Sequence, residues 1–389
     1  MRVANLLVVA CALCCVAIAC GATPYVPTTD DAVLERLPEK TDPSLKVLKR
    51  IRVALASEPG NVDLAAALAR RAIEATRSTG DPRFLGMAQA ALAPWWNEAN
   101  PPVEALLLRA TIRQSQHDFD GALRDLDALL AAHPQHAQAR LTRATILTVQ
   151  GRYADARRDC AALAGRASPL VLAACDAAPA SLSADDEAAY RNLVAHLQVS
   201  RDPPDVQAWA RTLAGEIAQR RGDDAAAKQQ FASALALDPS DAYLNAAFAD
   251  FLLARGGAEQ ALPLVGSDLR NDALLLRVAL AEQQLPSARD AYVQHRAEIA
   301  ARFEAARKRG DTLHLREEAR FRLWLEHDAR DALALARRNW SVQREPADLL
   351  VLAQAARAAN DAAALALARD WIAATGLRDV AVASILGTP

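Results

Sequence analysis

Apolar and small residues recur along most of the chain at three- and four-residue spacings, the period expected of amphipathic helices. The stretch LLLRATIRQSQHDFDGALRDL, for example, contains two such patterns with His117 and Asp118 between them. Gly151 and Gly222 follow comparable segments, where a glycine allows the left-handed turn that ends a helix. Pro134 and Pro239 follow the next segments, and proline does not continue a helix. The pattern therefore predicts consecutive helix–turn–helix units.

These units repeat every 34 residues. The tetrapeptide RATI occupies residues 109–112 and returns at 143–146. Shifting the chain by 34 also matches apolar and small positions on both predicted helices: Leu107 with Leu141, Phe119 with Tyr153, Ala122 with Ala156, and Leu129 with Leu163. A fixed period of this length is typical of stacked helical repeats.

The small residues at Ala110 and Ala122 and the closing Pro134, which return as Gly215, Ala227 and Pro239, resemble the tetratricopeptide repeat family. The resemblance implies an all-α fold, an α-solenoid of stacked helix–turn–helix repeats forming a right-handed superhelix. We predict a signal peptide at 1–19 and a tether at 20–45. An N-terminal stack at 46–178 and a C-terminal stack at 207–389 then flank an irregular hinge or degenerate repeat at 179–206.

In this family the concave face of the superhelix, lined by the first helix of each unit, binds partner proteins or peptides. Trp209 and Tyr243 occupy equivalent positions in neighbouring units, and aromatic side chains are good anchors for a partner. The alternative is that both pack against neighbouring helices. The resemblance places the following residues in this groove: Thr111, Gln114, Thr145, Trp209, Thr212, Gln219, Arg220 and Tyr243.

The first residues have the layout of a secretory signal peptide, with Arg2 before an apolar stretch from Leu6 to Ile18. Ala17-Ile18-Ala19 is a site for ordinary signal peptidase, whereas VAIAC resembles a bacterial lipobox, in which Cys20 would be acylated. The lipobox interpretation predicts a periplasmic protein anchored to the outer membrane of a Gram-negative bacterium, touching the membrane only through Cys20. Simple secretion into the periplasm is the alternative.

Composition agrees with an exported helical protein. Apolar residues make up 52% of the chain and aromatic residues only 5%. The formal charge of −2 argues against a nucleic-acid partner. Only Cys160 and Cys175 lie beyond the signal region, and a pair of cysteines in an oxidising compartment favours a disulfide. Two buried thiols are the alternative.

Catalytic and metal-binding motifs are absent from the sequence, and we predict no enzyme activity, cofactor or metal. The pairs His117-Asp118 and His327-Asp328 resemble catalytic dyads, but the repeat register places both at turns, where capping or solvent exposure is expected. We therefore predict a non-enzymatic scaffold for a protein or peptide. The rival hypothesis is a role in cell-envelope polysaccharide handling, for which Glu216 and Asp250 are the candidate carboxylates.

Overall fold

A computed structural model describes residues 43–266 and 269–387. The predicted signal peptide, Cys20 and the tether up to residue 42 lie outside the described residues. All contacts given below lie within Val47–Pro389, which forms one compact unit.

Helices form the described part of the chain, which contains no strand. A short 3₁₀ helix, Pro286–Ala288, precedes α16. The α-helices are α1 (Pro43–Ser57), α2 (Val62–Thr79), α3 (Pro82–Ala91), α4 (Ala93–Trp96), α5 (Val103–Ser115), α6 (Phe119–Ala132), α7 (Ala137–Val149), α8 (Tyr153–Ala161), α9 (Pro169–Ala180), α10 (Asp186–Val199), α11 (Pro204–Arg220), α12 (Asp224–Leu237), α13 (Ala242–Leu253), α14 (Ala258–Val265), α15 (Asp272–Gln283), α16 (Arg289–Lys308), α17 (Leu315–Trp324), α18 (Ala329–Trp340), α19 (Pro346–Ala358), α20 (Ala362–Thr375) and α21 (Val380–Leu386).

Successive helices pack as hairpins, from α2 with α3 and α5 with α6 to α19 with α20. Each hairpin also contacts the next, as α6 contacts α7 and α8 contacts α9. The buried residues that join them are mostly Ala and Leu. Small side chains allow close helix approach, and neighbouring hairpins share one continuous core. The predicted all-α repeat solenoid is confirmed.

Turns between paired helices follow a common design. His117 and His327 have left-handed φ angles of 60° and 56°, and Gly151 has 77° at the equivalent place. Asp118 accepts a hydrogen bond from the backbone N–H of Gly121, and Asp328 accepts one from Asp331. The histidine thus makes the turn and the aspartate caps the following helix. The capping role predicted for both His-Asp pairs is confirmed.

The arginine of RATI joins the two helices of its hairpin. Arg109 is buried and donates two hydrogen bonds to Asp125, from Nε at 2.9 Å and from Nη2 at 2.7 Å. Arg143 makes the same bidentate pair with Asp159, at 2.7 and 2.6 Å. The repeat therefore encodes a polar link between helices as well as an apolar core.

A disulfide joins Cys160 of α8 to Cys175 of α9, with a Cα–Cα distance of 5.5 Å. Both residues are buried in an apolar cluster that also contains Leu147 and Leu163. The bond links two successive hairpins covalently.

Residues 179–206 contain the end of α9, a turn and α10. Pro179 lies in the last turn of α9, and Pro204 is the first residue of α11, a favoured position for proline. Leu193 and Leu197 of α10 share a core cluster with α9 and α11. The segment thus supplies the second helix of a hairpin, while the predicted division into two stacks stays a prediction.

The C-terminal helices contact hairpins far earlier in the chain. The backbone N–H of Arg344 donates to the carbonyl of Val149 at 2.8 Å. Trp371 of α20 packs edge-on against Tyr153, with ring centroids 6.4 Å apart. Leu182 belongs to the apolar core formed by α17 to α21. Late hairpins of the solenoid therefore pack onto early ones.

Candidate functional site

An apolar cavity of about 250 Å³ lies where the beginnings of α7 and α11 meet α9. Trp209 forms one wall and remains 39% exposed. Helix α7 contributes Gln138 and Leu141. These two residues lie on the first helix of an earlier unit, and Gln138 has the same position in its unit as Trp209 has in the later one. We call this the Trp209 cavity, and its lining residues are Ala137, Gln138, Leu141, Leu163, Ala167, Val171, Val206 and Trp209.

Most of this lining was not predicted to lie in the groove. Leu163 and Ala167 belong to the connection between α8 and α9, and Val171 and Val206 lie in the first turns of α9 and α11. The segment 170–206 fits the register poorly, so its residues could not be aligned with groove positions. The sequence feature that could have identified these lining residues is their apolar character.

The predicted threonines have satisfied hydroxyl groups. Thr111 donates to the carbonyl of Leu107, and Thr145 donates to that of Leu141. Thr212 does the same with Ala208 and is only 5% exposed. Thr145 is exposed on the surface. Thr212 lies in the packed interior and is not available to a partner.

The other polar residues predicted to line the groove differ in their hydrogen bonds and burial. Arg220 donates to the hydroxyl oxygen of Ser181 at 2.9 Å, which links α11 to the turn after α9. Gln114 and Gln219 are half-buried. Neither residue lines the Trp209 cavity.

Tyr243 belongs to a polar cluster instead of the cavity. The residue is 56% exposed, and its hydroxyl donates to Glu216 Oε1 at 2.5 Å. The Glu216 carboxylate and, to a lesser extent, the Glu345 carboxylate raise the pKa of Tyr243 above its usual value. Burial raises the pKa of Glu216, although its bond from Tyr243 opposes this. The two predicted aromatics therefore have different environments, one apolar and one charged.

Asp250 is neutralised by arginines from later helices. Arg277 donates to its Oδ2 at 2.6 Å and Arg320 at 2.9 Å. Burial alone would raise the pKa of Asp250, but the two guanidinium groups hold it below its ordinary value. Burial likewise opposes the effect of Arg277 on Glu317, whose pKa is nevertheless lowered to about 2.

Both carboxylates of the polysaccharide hypothesis take part in internal contacts. Glu216 Oε1 accepts a hydrogen bond from Tyr243, and Asp250 is held between Arg277 and Arg320. The arginines that bind Asp250 belong to α15 and α17. The repeat register does not predict that these helices lie beside Asp250. The structure thus uses both carboxylates in internal contacts.

Metal-ligating side chains do not cluster within residues 43–266 and 269–387. His136 instead accepts a hydrogen bond through Nδ1 from the backbone N–H of Ala139, at the start of α7. None of the helices in the described ranges combines the length and apolar character needed to cross a bilayer.

No protein-family model and no curated protein matches the chain. A solved tetratricopeptide repeat protein from Parabacteroides merdae is similar over 74% of this chain and 98% of its own, at 15% identity and a TM-score of 0.37. The APC/C Cut9–Hcn1 hetero-tetramer is similar over 85% of this chain and 66% of that chain, at 17% identity and a TM-score of 0.45. The 34-residue period and the stacked hairpins give this chain an all-α repeat fold built from helical hairpins.

Proposed function

We propose that this protein is an exported interaction scaffold that binds a protein or peptide partner at the Trp209 cavity. The observation that carries the proposal is the position of Trp209, an exposed aromatic at the wall of an otherwise apolar depression. Large apolar side chains exposed beside a pocket are typical of binding hot spots. The proposal includes no catalytic activity.

The size of the cavity favours a side chain of a larger partner over a free small molecule. Ligand pockets usually measure roughly 300 to 1,000 Å³, whereas this cavity measures about 250 Å³. One or two aliphatic or aromatic side chains would fit it, with Gln138 available to hydrogen-bond the partner's backbone at the rim. Tetratricopeptide-like folds commonly bind peptides, but that support is an analogy of fold.

We further propose that the protein is anchored to the outer membrane of a Gram-negative bacterium through acylated Cys20. Support comes from the apolar stretch Leu6–Ile18 and the VAIAC sequence that follows it. A disulfide between Cys160 and Cys175 suits an oxidising compartment such as the periplasm.

Photocrosslinking tests the binding site. A photoreactive residue placed at Gln138 should capture a discrete partner in intact cells, and Trp209→Ala should abolish that capture. The matched control carries the photoreactive residue at Gln294, an exposed position on α16. Capture that persists in Trp209→Ala, with an unchanged melting temperature, would rule out the Trp209 cavity as the binding site.

Metabolic labelling with palmitate tests the anchor. The wild-type protein should incorporate label, and Cys20→Ser should not. Cys15→Ser, which changes a neighbouring cysteine of the signal region, should incorporate label normally. An unlabelled wild-type protein found free in the periplasm would favour simple secretion.

A further inference from the structure

Helix α1 presents a cationic surface that differs from the rest of the protein. Lys49, Arg50 and Arg52 are all exposed, and the helix sequence PSLKVLKRIRVALAS contains no acidic residue. None of these three cations forms an ion pair with a carboxylate among the described residues. The chain as a whole carries more acidic than basic residues, so this local excess is not a consequence of composition.

The helix is amphipathic, with its cations opposite its packed side. At 100° per residue, Leu48, Ile51 and Leu55 share one side, and Leu48 is buried. Lys49 and Arg50 lie on the other side together with Val53, which is 61% exposed. Arg52 lies between the two sides, next to Leu48, and is also exposed. The outward surface therefore combines positive charge with one exposed apolar side chain.

Several exposed arginines elsewhere have carboxylate partners. Arg83 forms an ion pair with Asp81 at 2.6 Å, and Arg157 contacts Asp176 at 2.9 Å, although both arginines are substantially exposed. Arg152 likewise pairs with Asp155 at 2.7 Å. Among the described residues the three cations of α1 have no such counterion, so a partner that supplies negative charge would complement them.

We propose that this surface, Lys49, Arg50, Arg52 and Val53, binds the anionic phospholipid surface of a bilayer. Clustered cations on the surface of a helix are attracted to anionic lipid headgroups, and the exposed Val53 would lie at the membrane interface beside them.

Chain length is compatible with this contact. The inference rests on the proposed acyl anchor at Cys20 for its cellular setting. Residues 21 to 42 connect Cys20 to the start of α1 and cannot span more than about 80 Å even when fully extended. The tether therefore keeps α1 near the bilayer, and the cationic surface would orient the scaffold on it.

Vesicle binding tests the proposal without the anchor. The mature chain carrying Cys20→Ser should bind phosphatidylcholine vesicles that contain phosphatidylglycerol, should not bind pure phosphatidylcholine vesicles, and should dissociate as salt rises. The triple variant Lys49→Gln, Arg50→Gln, Arg52→Gln should bind on the order of 100-fold more weakly, since each surface cation contributes a roughly fivefold effect.

The matched control removes the same charge at scattered exposed arginines, as Arg124→Gln, Arg289→Gln and Arg330→Gln. It should retain binding. Equal binding by the two triple variants, or equal binding of the unsubstituted Cys20→Ser chain to both vesicle types, would overturn the proposal. Unchanged melting temperatures show that the variants are folded.

A fluorescent label on Val53→Cys tests which face makes the contact. Its emission should shift to the blue on addition of the anionic vesicles, and an unshifted spectrum would exclude this face. The Cys20→Ser chain cannot be acylated, so these results are independent of palmitate labelling at Cys20 and of crosslinking at Gln138. Failure of either proposed function is thus distinguishable from failure of this inference.

Discussion

Arg109 and Asp125 form a buried, bidentate ion pair that joins the two helices of one hairpin. The remaining guanidinium nitrogen donates to three backbone carbonyls, those of Trp95, Trp96 and Glu98. The next unit repeats the pair as Arg143 and Asp159. In the unit at 207–240 Ala214 takes the place of Arg109 and Gln230 takes the place of Asp125, and Gln230 accepts a hydrogen bond from Arg211 at 3.2 Å. The arginines of both RATI tetrapeptides, Arg109 and Arg143, therefore form ion pairs that hold hairpins together.

Asp125→Ala should destabilise the protein strongly, because it leaves the Arg109 charge buried without a carboxylate. We expect a loss of about 3 to 5 kcal/mol in the free energy of unfolding, measured by urea denaturation. Arg71→Ala is the control, since Arg71 and Glu74 form an ion pair in which both side chains are more than half exposed. It should cost less than about 0.5 kcal/mol. Equal losses for the two variants would show that the buried pair contributes no more than a surface pair.

Reduction of the Cys160–Cys175 disulfide should lower the melting temperature. The bond closes a loop with a sequence separation of 15, for which the expected stabilisation is about 3 kcal/mol. The double variant Cys160→Ala, Cys175→Ala should melt at the same temperature with and without reductant. A wild-type protein that also melts identically under both conditions would contradict a stabilising disulfide.

Gly151→Ala should destabilise the contact between early and late hairpins. Gly151 has a φ of 77°, and a methyl group there would overlap the ring of Trp371. Gly165→Ala is a matched control, because Gly165 has a φ of 70° but open space around the added methyl group. The control should lose about 1 to 2 kcal/mol from the left-handed backbone alone. Gly151→Ala should lose about 1 to 3 kcal/mol more through overpacking, and equal losses would argue against tight packing on Trp371.

Acidification should stabilise the region around Asp348. This side chain is 2% exposed and accepts a hydrogen bond from Asn339 at 2.7 Å. Burial raises its pKa to about 6, since the nearby Arg316 is shared with the Glu345 carboxylate. Between about pH 4, near the unfolded value, and pH 6 the folded state holds a proton that the unfolded state releases. The contribution of Asp348 to stability therefore falls as the pH rises through this window.

Asp348→Asn should remove that dependence. Relative to the variant, the wild-type protein should lose about 2 to 3 kcal/mol of unfolding free energy between pH 4 and pH 7. Urea denaturation across this range gives the difference at each pH. Asp205→Asn, at an exposed position on α11, controls for the substitution itself. A constant difference between wild type and Asp348→Asn would show that Asp348 does not titrate in the window.

Local patterns predicted the hairpins well. Ala110, Ala122 and their equivalents are buried where helices meet, because small residues at fixed spacing set the helix contact. Gly151 and Gly222 have the left-handed φ expected of a turn. Each of these inferences needs only residues within one or two units, so the sequence period was sufficient for them.

The candidate site was less predictable. Trp209 does border a cavity, but most of the lining comes from residues that were not predicted to lie in the groove. Thr212, at an equivalent first-helix position, is buried, and Tyr243 is held by Glu216. Whether a residue at these positions is exposed depends on which distant helix packs over its hairpin. The repeat pattern carries no information about that packing.

The sequence by itself determined that this protein is a series of helical hairpins, where each helix turns, and which small residues pack between helices. These properties follow from periodicity and backbone preferences over a few tens of residues. Only the tertiary structure decided that Arg344 bonds to Val149, that Trp371 covers Gly151, and that arginines from α15 and α17 hold Asp250. The physical reason is that contacts between distant hairpins depend on small rotations accumulated over the stack, and no short stretch of sequence encodes their sum.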